Sequence, residues 1–149
     1  MTSVSKVFMA SDHAGLELKN HLKSVLESSG RVVEDLGAHT TESVDYPDFG
    51  ASMGAALTND QSACGILVCR TGIGISIAAN RFSHIRAAVC HDETTARLAR
   101  LHNDANVLCL GDRVVGRQTA QDCVSVFLET DFEGGRHQRR VDKLTAIGA

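Results

Sequence analysis

The sequence has no apolar stretch approaching the roughly 18 residues that a membrane-spanning helix needs. No positively charged segment followed by an apolar run opens it, so no secretory leader is expected and the expected location is the cytoplasm. It also lacks an excess of positive charge. Lys and Arg number 15 against 18 Asp and Glu, a net charge of -3, which argues against a general nucleic-acid binder. A local cationic pocket stays compatible with that balance. The five cysteines (Cys64, Cys69, Cys90, Cys109 and Cys123) form no C-x-x-C pair. Four of them sit in strand-like or helical apolar runs and read as small buried hydrophobes of a reducing compartment. No repeat, low-complexity stretch or Pro/Gly-rich linker divides the chain. One domain over residues 1–149 is expected, with a tail from about residue 131 that carries several arginines.

What is present alternates. Apolar, partly β-branched runs at Lys6–Ser11, Arg31–Leu36, Gly65–Cys69, Ile85–Cys90 and Ala105–Leu110 read as strands. Between them lie segments with helical spacing: Leu18, Leu22, Val25 and Leu26, then Asp48–Leu57, a helix from Ile75 to about Phe82, and Asp92–Leu101 with Asp92 as N-cap. A helix over Arg117–Leu128 and a last short helix through Val141, Leu144 and Ile147 complete the chain. Such alternation predicts a Rossmann-like α/β/α sandwich of three layers around a five-stranded, mainly parallel sheet. Ligands of such sheets bind beyond the carboxyl ends of the strands. Asp12 and His13 follow the first strand, Cys69 and Thr71 the third, and Gly111-Asp112-Arg113 the fifth.

The centre of the pattern is Cys69-Arg70-Thr71-Gly72-Ile73-Gly74-Ile75-Ser76, a buried strand breaking into a glycine turn and a helix. Unpaired N–H groups at such a turn receive an anion, or an oxygen that becomes one. A dinucleotide fingerprint needs a third glycine three residues past Gly74, where Ile77 stands, although Asp92 imitates its acidic ribose contact. A P-loop needs Gly-Lys-Ser/Thr, which is missing. Other candidates are His102 and Asn103, close to a helix end, and Arg136 and Arg140, spaced i, i+4 so that a helix puts both guanidinium groups on one face.

The ordered set Asp12-His13-Ala-Gly15, Asp45-Tyr46-Pro47, Cys69-x-Thr71-Gly-Ile-Gly-Ile-Ser76, Ile85-Arg-Ala-Ala-Val89, His102-Asn103-Asp104-x-Asn106 and Gly134-Gly-Arg-His-Gln-x-Arg140 resembles the type B ribose-5-phosphate isomerases. Galactose- and allose-6-phosphate isomerases share that family. The resemblance runs from Lys6 to Ile147. It implies a cofactor-free and metal-free aldose–ketose isomerisation of ribose 5-phosphate and ribulose 5-phosphate in the non-oxidative pentose phosphate pathway. It further implies Cys69 as the base at carbon 2 and the backbone from Thr71 through Gly72, Ile73 and Gly74, with the Thr71 hydroxyl, as the oxyanion hole. By the same resemblance His102 opens the sugar ring, and Asp12 takes the anomeric proton or orients the sugar. Arg113, Arg136 and Arg140 hold the phosphate with His13 nearby, and Asn103 binds substrate. The site is implied to form between two subunits, hence a homodimer, with a dimer of dimers left open. Hexose 6-phosphates are the alternative substrates, and a nucleotide-binding module without catalysis is the rival from another class. One departure stands out: Arg70 replaces the family's usual glycine. The guanidinium either points away, acts on Cys69, or touches sugar hydroxyls; a left-handed backbone there would be strained.

Overall fold

The computed structural model describes residues 4–148, so the ends of the expected domain, residues 1–3 and 149, lie outside the described residues. The elements run β1 (Lys6–Ser11), α1 (Leu16–Ser28), β2 (Val32–Asp35), α2 (Tyr46–Asn59), β3 (Cys64–Cys69), α3 (Ile73–Ala79), β4 (Ala87–Val89), α4 (Glu93–Asn103), β5 (Val107–Gly111), α5 (Arg117–Glu129) and α6 (Arg136–Ile147). The sheet order is β2-β1-β3-β5-β4, and each neighbouring pair is parallel. The expected α/β fold is what the chain adopts. No helix among the described residues is long and apolar enough to cross a membrane.

Alternation along the strands divides the core into two layers. Val7, Met9, Ile66, Val68, Leu108 and Leu110 face α1, α4 and α5, where Leu22, Ala96 and Phe127 meet them. Phe8, Ala10, Leu67, Cys69, Val107 and Cys109 face α2 and α3, against Met53, Leu57 and Ile75. Each fully buried Leu or Ile of these layers contributes about 2 kcal/mol. Cys69, the last residue of β3, therefore turns its side chain toward the α2/α3 layer.

Four helices differ from their expected bounds. Helix α3 runs Ile73–Ala79, starting at the glycine turn and stopping short of Phe82. Helix α2 begins at Tyr46, because Pro47 occupies its first turn, where a missing N–H costs nothing. Helix α4 is capped by Asp92, which accepts from the Thr95 N–H at 2.7 Å, and it continues through His102 and Asn103. These two residues form its last turn instead of following it. Helix α6 is longer than its apolar positions suggest, because its first turn is made of polar residues after Gly135.

One buried charge braces the β1–β2 side. The Lys19 side chain is fully buried, and its ammonium donates to Asp35 at 2.7 Å and to the Ala38 carbonyl. The Ala38 N–H in turn donates to the Ser11 carbonyl at 2.7 Å, which ties the end of β1 to the loop after β2.

Candidate active site

The chain changes direction in the sheet between β1 and β3, so their carboxyl ends open a crevice at the switch point. Ser11 pairs with Val68, and the Asp12 N–H donates to the Val68 carbonyl at 3.2 Å, placing Asp12 beside the end of β3. Asp12 is 7% exposed, and its carboxylate accepts from the Gly15 N–H at 3.0 Å. His13 is half-buried and its Nδ1 accepts from the Val44 N–H at 3.1 Å, which leaves Nε2 carrying the hydrogen of the neutral ring.

At the end of β3 Cys69 is 5% exposed, and its sulfur accepts from the Gly72 N–H at 3.1 Å. That contact depends on Gly72 taking a left-handed conformation, φ 79° and ψ -13°, as N-cap of α3. The Thr71 hydroxyl accepts from the Ile73 N–H at 3.2 Å. Gly74 serves a packing purpose, since a Cβ there would stand 2.6 Å from the Tyr46 ring. Tyr46, in the first turn of α2, thus packs its ring over the glycine turn.

The loop after β5 is fastened to the same turn. Asp112 N–H donates to the Cys69 carbonyl and Arg113 N–H to the Arg70 carbonyl, both at 2.9 Å. Arg113 and Arg70 are exposed at this end. The backbone of Arg70 is not left-handed, since Asp104 is the one non-glycine residue with positive φ among the described residues. An arginine in place of the expected glycine therefore meets no backbone strain.

His102, Asn103, Arg136 and Arg140 stand elsewhere. Helix α4 runs back against the strands, so its last turn reaches the amino end of the sheet, where Asn106 accepts from the Gly65 N–H through its carbonyl at 2.9 Å. From Gly65 to Cys69 is roughly 13 Å along the strand at about 3.3 Å per residue. His102 belongs to that last turn of α4. Asn103 lines a cavity of about 430 Å³ with Asn80, Arg86, Leu144 and Ile147, at the end of the sheet opposite Cys69. Arg136 and Arg140 share one exposed face at the start of α6, beside His102. One chain thus brings together Asp12, His13, Cys69, Arg70, Thr71, Gly72, Ile73, Gly74 and Arg113, and separately His102, Asn103, Arg136 and Arg140.

His137 belongs to the second group and carries a signal that the motif alone hides. Its ring is 4% exposed and stacks on His102 with centroids 4.5 Å apart and planes 17° apart. Burial and the neighbouring His102 hold its pKa below the ordinary histidine value, against the opposing pull of Glu133 3.5 Å away. The i, i+4 spacing of Glu133 and His137 is the sequence sign of this pair. His102, Glu133 and His137 are also of metal-ligand type, with donor atoms within 4.8 Å of one another. Imidazole lone pairs lie in the ring plane, and two stacked planes do not converge on one ion at about 2.0–2.1 Å unless a ring turns.

The sequence profile described as Ribose/Galactose Isomerase matches residues 7–144. The chain belongs to the ribose/galactose isomerase family. Within it, the chain is 44% identical over 144 residues to ribose-5-phosphate isomerase B of Escherichia coli K12, covering 97% of each protein. Among solved structures it is similar to the Clostridium thermocellum ribose-5-phosphate isomerase B, with TM-score 0.93 and 48% identity over 95% of this chain and 96% of that one. It is also similar to the Mycoplasma genitalium ribose-5-phosphate isomerase B with bound ribulose-5-phosphate, with TM-score 0.91 and 42% identity over 95% of both chains. The family assignment agrees with the resemblance that the ordered motifs carry.

Proposed function

We propose that this chain interconverts ribose 5-phosphate and ribulose 5-phosphate through an enediolate. The observation that carries the reading is the turn after β3, where a backbone N–H holds the Cys69 sulfur at 3.1 Å beside Asp12, in a member of this isomerase family. The family relatives of this substrate class support the same choice.

In the proposed reaction Cys69, as thiolate, takes the proton from carbon 2 of the open-chain aldose and returns it to carbon 1. Negative charge gathers on the oxygens of the enediolate. The N–H groups of the turn and the Thr71 hydroxyl stabilise it; those of Gly72 and Ile73, which donate to Cys69 and Thr71 in the free chain, shift to the substrate oxygen as it binds. Asp12 receives or orients the anomeric hydroxyl, and His102 opens the furanose ring by moving a proton to and from the ring oxygen. Arg113, Arg136 and Arg140 grip the phosphate with forked donors, and His13 adds Nε2–H at the same end as Arg113.

These groups sit at both ends of one sheet, so a complete site needs a second copy. A homodimer supplies it, each copy presenting the end of α4 and the start of α6 to the other's Cys69 crevice. Ile73 and Ile77, 53% and 59% exposed on α3 next to Cys69, and Tyr46, 43% exposed, support this face as the one a second copy covers. Five unpaired, buried cysteines support the cytoplasm as the place of action.

The test is isomerisation of ribose 5-phosphate by the purified, metal-stripped protein beside its Cys69→Ala variant. Turnover by the native protein and a loss of about a thousandfold in a folded Cys69→Ala protein is the expected result. A native protein inert on ribose 5-phosphate yet active on a hexose 6-phosphate overturns the substrate, and full activity of Cys69→Ala overturns the base.

A further inference from the structure

The motif His102-Asn103-Asp104-x-Asn106 contains two groups that the reaction leaves unused. Asp104 holds φ 46° and ψ 42° at the C-cap of α4. Glycine adopts that conformation at no steric cost, and asparagine at little. The presence of a carboxylate calls for another reason, and its surroundings provide one. Oδ1 accepts from Arg100 Nη1 at 3.0 Å, and Oδ2 lies 3.4 Å from Arg86 Nη2. Arg86 Nε donates to the Asp104 carbonyl at 2.7 Å. Asn106 completes the arrangement: its Oδ1 accepts from the Arg86 N–H at 2.7 Å and its Nδ2 donates to the His84 carbonyl at 2.9 Å.

The Arg100 guanidinium also reaches the segment that leads to α6. Arg100 Nε donates to the Thr130 carbonyl at 3.0 Å, and its Nη1 also reaches the Ala105 carbonyl. The Glu133 N–H donates to the Leu101 carbonyl at 3.1 Å, one residue before His102. The network therefore ties together the end of α4, the approach to β4, the start of β5 and the entry to α6. The His102–His137 stack lies between the elements so tied, His102 in the last turn of α4 and His137 in the first turn of α6. Both arginine side chains are mostly buried, at 20% and 13% exposure. Without the carboxylate they would lose their only charged partner among the described residues, and the turn its anchor.

We infer that Asp104, clamped by Arg86 and Arg100 and braced by Asn106, is a positioning residue that aims His102 at the sugar ring. The inference rests on the reading of His102 as ring opener. A displacement of about 1 Å in such a group costs up to about a hundredfold in rate, so a loosened clamp lowers turnover without touching substrate.

The experiment is a double-mutant cycle on kcat for ribose 5-phosphate with His102→Ala and Asp104→Asn, with thermal unfolding as the folding control. Asp104→Asn keeps the left-handed turn and removes the charge. The expected result is a fall in kcat of about tenfold with KM changed by less than about twofold. In the His102→Ala background the same change should then lower kcat by no more than about twofold, because the two residues act as a unit. Should Asp104→Asn not fold, Arg86→Lys takes its place with the same expectation, since it keeps the charge and drops the Nε bond to the Asp104 carbonyl. A folded Asp104→Asn protein with native kcat overturns the inference, and so does an equal fall in both backgrounds. Native kcat in His102→Ala alone overturns instead the reading of His102, which separates the two failures.

Discussion

At the carboxyl end of the sheet the polar groups hang on backbone turns, whereas at the amino end they are held by side chains. The Cys69 sulfur is fixed by one N–H of a left-handed glycine, and Asp12 by the N–H of Gly15. At the other end, His102 stacks on His137, and two guanidinium groups hold the Asp104 carboxylate of the turn that follows it. In the proposed reaction the difference follows from what each end does. A developing oxyanion needs donors that do not move, and peptide N–H groups in a tight turn are the stiffest available. A proton-carrying histidine needs to be aimed while its own nitrogens stay free, which neighbouring side chains do from behind and beside the ring.

The comparison can be broken most severely at the carboxyl end. Gly72→Ala puts a Cβ on a backbone at φ 79° and 3.0 Å from the Leu110 carbonyl carbon. Urea unfolding should show a loss of about 2 kcal/mol, and kcat should fall by more than about tenfold because the donor to Cys69 is displaced. The amino end should respond to pH instead. A folded pKa below the unfolded value means that the fold prefers neutral His137, whose stabilisation is present above about 6.5 and lost as pH falls through the folded value. The melting temperature should therefore drop between pH 7 and pH 5, and His137→Gln should flatten that slope; an unchanged slope would assign it to other groups. The smallest effect is expected at Arg70. Its backbone needs no glycine, so Arg70→Gly should cost about 0.5 kcal/mol through unfolded-chain entropy. The titration of the Cys69 thiol should stay where it was; a shift would place the guanidinium on the sulfur.

The carboxyl end was largely legible from sequence, because strand ends, glycines and a following helix start announce themselves in a few consecutive residues. Asp12, Cys69, Thr71 and Arg113 follow strands that periodicity finds, and the alternation of elements brings those ends together. The amino end was less so. The left-handed Asp104 hides the true end of α4 behind a polar run. His137 sits among charged residues, and its burial comes from α4 and not from any local pattern. The proposal that His102 and Asn103 reach a second copy's crevice came from resemblance, although strand direction alone puts them at the far end from Cys69.

The central claim is that proton transfer and ring opening are carried by different copies of the chain. Mixing Cys69→Ala with His102→Ala tests it directly, after dissociation and reassembly of the two purified proteins. Each variant alone should be nearly inactive. Random reassembly should restore about a quarter of native activity, because half of the dimers then hold one intact site of two. Activity that stays at the level of the separate variants, in a mixture shown to have exchanged subunits, would contradict the account.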